Sequence, residues 1–165
     1  MFEQIQSEFA LNFQALPVPI VMVRMIAAIL LGGVIGFERE GRGKDAGLRT
    51  HMLIALASCL FLLISQELAE LSYGGGAEKQ VDPLRLVEAV TAGVAFLSAG
   101  LIFARNGTVK NVTTGASMWL SGAVGMACGA GQIGLGFVAT VLVVIVLAVV
   151  GLLERRLPGR SGPPR

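Results

Sequence analysis

Two ionisable residues, Arg24 and Glu88, stand inside long apolar runs of this 165-residue chain. A charge in hydrocarbon is costly unless it is paired or hydrated. At a helical rise of about 1.5 Å per residue, Arg24 falls about 9 Å and Glu88 about 3 Å below the same membrane surface. An Arg24–Glu88 ion pair is therefore geometrically open; the duller alternative is that each side chain snorkels to the interface. A second concentration lies where the runs meet the other surface. Glu38, Arg39 and Glu40 close the first run, Arg49, Thr50 and His51 open the second, and Thr113, Thr114 and Ser117 open the fourth. Antiparallel succession brings these ends to one face. Thr113 or Thr114 can cap the fourth helix, whose free N–H groups and positive dipole end attract a carboxylate or anion, and Glu38 is one candidate. The group reads either as interface charges with a helix cap or as a ligand or regulatory site.

Other chemistry finds little support. His51 is the single histidine, which is too few for a histidine metal site. Ser58, Ser65, Ser98, Ser117 and Ser121 have no sequence-evident base, and no H-E-x-x-H, G-x-S-x-G or phosphate-cradling Gly-Lys motif occurs. Gly74, Gly75 and Gly76 read as a flexible linker before Val81-Asp82-Pro83. No enzyme and no cofactor is expected, although a bound cation stays open. A net charge of +2 gives no reason to expect nucleic acid. Cys59 and Cys128 are expected at depths differing by roughly half a bilayer, as small core residues and not a disulfide.

The elements that must position these residues are membrane helices. Apolar residues make up 54% of the chain, charged residues only 15%, and the mean hydropathy is +0.74. An all-α membrane protein follows, a five-helix transmembrane bundle with the bilayer as its solvent. Phe2, Ile5, Phe9, Phe13 and Leu16 recur at helical spacing, predicting an amphipathic interfacial helix over 1–17 that Pro17 and Pro19 separate from the first span. The bundle occupies 18–156, with spans at about 18–37, 48–68, 86–104, 112–128 and 133–153, and a tail at 157–165. The fourth, rich in Gly and Ser, is the weakest by hydropathy and turns through Gly129 to Gln132 into the fifth as a tight hairpin. There is no basic leader, so the first span is expected to be retained. Most of the thirteen Lys and Arg flank the first loop, the third loop and the tail. The positive-inside rule then sets the N-terminus outside and the C-terminus in the cytoplasm, and requires an odd number of spans.

In lipid, helices associate through small residues that let backbones approach. Ala28, Gly32 and Gly36 repeat every four residues on the first span, and Ser117, Ser121, Gly125 and Gly129 on the fourth. The third span offers Ala89 and Gly93, and separately Ala92, Phe96 and Gly100. These ridges read as packing within one bundle or as a homodimer seam. The fifth span, Val, Leu and Ile all round, is expected to face lipid.

Several blocks carry a resemblance. Arg24-x-x-Ala27-Ala28-x-x-Leu31-Gly32-Gly33-x-Ile35-Gly36-x-Glu38-Arg39-Glu40 is followed by Ala46-Gly47-Leu48-Arg49-Thr50-His51. Asp82-x-x-Arg85 leads into Gly93-Val94-Ala95-Phe96-Leu97-Ser98-Ala99-Gly100, and Val112-Thr113-Thr114-Gly115-Ala116-Ser117-Met118-Trp119 precedes Gly122-Ala123-x-Gly125. Over residues 24 to 130 the chain resembles the MgtC/SapB family of bacterial inner-membrane proteins. It departs from the family pattern at Ala95, Ser98 and Gly115, each small for small. Many members carry a soluble cytoplasmic domain after the fifth span, whereas here Pro158 to Arg165 follow it. The resemblance implies a multi-pass factor linked to growth in low magnesium and, in pathogens, to survival inside phagocytes. It further implies action on other membrane machines such as the ATP synthase. Arg24, Glu38, Arg39, Arg49, Thr50, Glu88, Thr113, Thr114 and Trp119 are the expected functional core, supported by packing at Gly32, Gly36, Gly93, Gly100, Ser117, Ser121 and Gly125.

Three functions fit this pattern: a regulator that binds membrane partners, itself included; a cation transporter or channel of magnesium type, built as a homo-oligomer; and a structural or lipid-ordering protein. Magnesium is held through carboxylates and retained waters, yet the expected midplane offers hydroxyls, glycines and a thiol. The carboxylates Glu38 and Glu88 and the family's magnesium link keep the transporter open.

Overall fold

The computed structural model describes residues 2, 13, 15–70, 82–105 and 108–156. Five helices follow in order: α1 (Val18–Gly41), α2 (Leu48–Glu70), α3 (Pro83–Leu101), α4 (Val112–Gly129) and α5 (Ile133–Arg156). Most of the amphipathic helix expected over 1–17 lies outside the described residues, as do the glycine linker and the tail. Ala15 and Leu16, the end of that segment, form a bend rather than a helix. The Ala15 N–H donates to Glu67 Oε1, and Leu16 packs on the core.

Four of the helices, α1, α2, α3 and α5, are long and apolar enough to cross a membrane. The fourth expected span, α4, the weakest by hydropathy, is not among them, and the contacts give the reason. α4 packs against each of the other four helices. Its Thr114, Gly115, Ser117, Ser121, Gly122, Gly125 and Gly129 are buried, so hydroxyls and glycines meet protein instead of hydrocarbon.

α1, α2 and α4 form the tightest unit. A Cβ added at Gly32 would lie 2.7 Å from both the Ala55 Cβ and the His51 carbonyl oxygen, and one at Gly36 would lie 2.7 Å from the Leu48 Cα. One at Gly125 would strike the Ala55 backbone, and one at Gly129 would sit 2.8 Å from the Cys59 carbonyl. Glycine is needed there because backbone lies against backbone. This register sets Cys59 beside the end of α4, in one buried cluster with Cys128. The expected separation in depth is therefore overturned, although both thiols are free.

The third span differs more. Its helix ends at Leu101, and Phe103–Arg105 pairs with Thr108–Lys110 as a two-stranded antiparallel hairpin, β1 and β2. The span drawn to residue 104 is thus too long at that end. Between the two strands the sequence carries Asn106-Gly107, a strong short-range hairpin signal. α3 buries Val90, Val94 and Ser98, chiefly against α4, and touches α2 only slightly. Gly93 and Gly100, expected as packing positions, are exposed with nothing within 4 Å of an added Cβ. α5 buries Gly136, Thr140 and Val143 and leaves Leu135, Phe137, Val138, Val141 and Leu142 exposed. The expectation that it faces lipid on every side is corrected to a single inward stripe.

Candidate functional site

The glycine-lined approach of α1 to α2 and α4 lets polar side chains meet directly. Arg39, 3% exposed, donates from Nη2 to Thr114 Oγ1 at 2.8 Å. His51, fully buried, lies one turn deeper, with Nδ1 2.8 Å from the Gly47 carbonyl and Nε2 3.0 Å from Ser117 Oγ. A carbonyl only accepts, so Nδ1 carries a proton, and Nε2 of a neutral ring then accepts from Ser117. The same hydroxyl lies 2.8 Å from the Thr114 carbonyl, so its one proton has two acceptors to serve.

Ser117 therefore does have a base beside it, contrary to the sequence expectation. The pair lacks the other parts of a nucleophilic site. The imidazole is oriented by a backbone carbonyl and not a carboxylate, and both residues are sealed among three helices. Its evident work is to tie α2 to α4, each bond of this kind contributing about 1 kcal/mol.

Around this cluster the loop joining α1 to α2 is fastened at several points. Gly43 adopts φ +61° just after α1, the left-handed position that glycine takes at no steric cost. Glu40 Oε2 accepts from the Leu48 N–H at 2.8 Å, serving the first turn of α2. Glu38 pairs with Arg42 one turn along α1, so the proposed seat of Glu38 on the first turn of α4 is not taken. Arg39 meets that turn instead. Neither Thr113 nor Thr114 is the N-cap: Asn111 is, at φ 65° and without a side-chain cap bond. The Asn111 amide instead donates to Asp45 and to the Leu101 carbonyl, joining the loop, α3 and α4.

A second polar group closes the opposite end of α4. Arg24 Nη1 donates to the Gly129 carbonyl at 2.7 Å and to Gln66 Oε1 at 3.1 Å, and Gln66 Nε2 donates to the same carbonyl. A cation at a helix C-terminus complements the negative end of the dipole. The Arg24–Glu88 pair is thus not formed: Arg24 is bonded to α2 and α4, and Glu88 is exposed on α3. Among the described residues, the side-chain ion pairs are Glu38–Arg42 and Asp82–Arg85.

Of the expected core, Arg39 and Thr114 meet directly, with Glu38 on the adjoining turn. Arg49, Thr113 and Glu88 are exposed, Thr50 is half-buried, and Trp119 points outward at 47% exposure. Ser117 joins His51, while Ser121 is buried with its Oγ unbonded. Gln66, Asn111 and Asp45 were missed. Gln66 could have been noticed as an amide inside an apolar run; Asn111 and Asp45 carry no comparable signal.

The MgtC family model matches residues 25–156. The chain is 38% identical over 144 residues to a protein of Escherichia coli K12 named "Putative magnesium transporter YhiD", covering 85% of this chain and 65% of that one. It is 39% identical over 125 residues to Protein MgtC of Brucella abortus (76% and 49%) and 34% identical over 122 residues to Protein MgtC of Salmonella typhimurium (74% and 48%). The chain thus spans half to two thirds of the length of these relatives. No solved structure gives a significant match. On the family match across residues 25–156, the chain belongs to the MgtC family.

Proposed function

We propose that this is a regulatory protein of the bacterial inner membrane, tied to magnesium limitation, that acts non-catalytically by binding other membrane proteins. Its basic face, bearing the α1–α2 loop, lies in the cytoplasm in this reading. The observation that carries it is the state of α3. That helix is held mainly by α4, and it leaves Ala89, Ala92, Gly93, Phe96 and Gly100 exposed. Between α3 and α2 runs an apolar crevice of about 370 Å³ floored by Ile54, Ser58 and Val94. Exposed small residues beside such a crevice suit the close approach of a partner's transmembrane helix, whether from a second copy or from a larger machine such as the ATP synthase. Crosslinking in cells followed by capture tests this. Gly93→Leu should remove the crosslinked partner while leaving the abundance of the protein unchanged; recovery of the protein alone, in cells where its deletion has a phenotype, would sink the reading.

The name of YhiD motivates the second reading, a cation transporter. Its difficulty is the sign of the charge. The buried cluster centres on the Arg39 guanidinium, and the nearest carboxylate, Glu38, is engaged by Arg42. Magnesium flux into proteoliposomes of the pure protein would favour transport; a partner-dependent regulator should give none.

A further inference from the structure

We infer that the basic mouth between α1, α4 and α5 is a binding site for the phosphate of an anionic phospholipid. A cavity of about 320 Å³ opens there, lined by Arg39, Arg42, Lys44 and Thr113 on one side and by Val146 and Val150 on the other. Three cations face one space, and no carboxylate is among its described lining residues. Arg42 is already partly engaged, pairing with Glu38 and donating from Nη2 to the Ala148 carbonyl at 3.3 Å, and the same Glu38 carboxylate offsets part of the Arg39 charge. Arg39 is 3% exposed, and its Nε–H has no hydrogen-bond partner. A buried guanidinium with an unused donor is expensive to keep. Its position makes the imbalance worse, because Arg39 is bonded to Thr114 in the first turn of α4, where the helix dipole presents positive charge. A phosphate would relieve both, accepting from guanidinium donors in the geometry that arginine suits.

The apolar side of the cavity identifies the source of that phosphate. Val146 and Val150 are 59% and 47% exposed on the outer face of α5, so the mouth opens sideways toward hydrocarbon as well as toward the aqueous surface. A lipid headgroup can lie on the cations while its acyl chains run along those valines. A free phosphate would leave them bare. Basic pockets between helices are a recurrent mode of anionic lipid recognition. This inference does not rest on the partner-binding reading, since the mouth is formed by helices other than α3.

The test uses the full chain in detergent, stripped of lipid and titrated with phosphatidylglycerol or phosphatidylcholine, with bound lipid counted by native mass spectrometry. Phosphatidylglycerol should bind about fivefold or more tightly than phosphatidylcholine, and Lys44→Gln or Arg42→Gln should each reduce that preference by about fivefold. Lys44 is exposed, so its variant is expected to fold and is sufficient alone. Lys110→Gln, removing an exposed cation of β2 outside the cavity, should leave the preference intact. Equal binding of the two lipids, or an equal loss with Lys110→Gln, would overturn the site. Millimolar inorganic phosphate should not displace phosphatidylglycerol; displacement that depends on Lys44 would reassign the site to free phosphate and refute the lipid.

Discussion

The first and third helices carry similar ladders of small residues and use them in opposite ways. On α1, Gly32 and Gly36 admit the backbone of α2 so closely that an added methyl group would overlap it. On α3, Gly93 and Gly100 meet nothing. The difference teaches that a small-residue ladder states what a helix face permits, and the neighbour decides whether the permission is used. Where it is used, the short distance also carries Arg39 to Thr114 and His51 to Ser117. Where it is not, a surface is left ready for another chain.

The largest expected effect would break the packed side of this comparison. Gly125→Val should drive its side chain into the Ala55 backbone and destabilise by ~3 kcal/mol or more, at the upper end of overpacking; loss of monodisperse protein in detergent would register it. Thr114→Val keeps the shape but removes the acceptor of buried Arg39, with an expected loss of ~1.5–3 kcal/mol, read from the midpoint of thermal unfolding. Ser117→Ala should cost about 1 kcal/mol by freeing α4 from His51, seen as a smaller shift in the same midpoint. Gly93→Ala should have the smallest effect and the opposite sign, a gain of up to ~0.5–1 kcal/mol from helix propensity. If Gly93→Ala proved as damaging as Gly125→Val, α3 would have a packing partner within the bundle and the contrast would fail.

Much of the bundle is legible in the sequence because hydrocarbon imposes a length and a composition that few residues can satisfy otherwise. Val18 to Phe37 and Leu48 to Leu68 lie inside helices that extend to Gly41 and Glu70. The added turn of α1 carries Arg39, a polar residue that hydropathy alone assigns to the surface. The gathering of Glu38, Arg39, His51, Thr114 and Ser117 at one end was also legible, since alternation of direction suffices to bring those ends together. The individual partners were not. Charge pattern suggested Arg24 with Glu88 and Glu38 with α4, because opposite signs at similar depth look complementary.

By itself, then, the sequence determined the medium, the five helices of the described bundle and the end of the bundle at which most polar residues would lie, because burial in lipid depends on composition and position along the chain. Tertiary structure alone decided rotation: which face of α4 meets which neighbour, that Arg24 turns to the Gly129 carbonyl instead of Glu88, and that the glycines of α3 stay open. Rotation is set by interlocking shapes from distant parts of the chain, and those shapes exist only once the helices have packed.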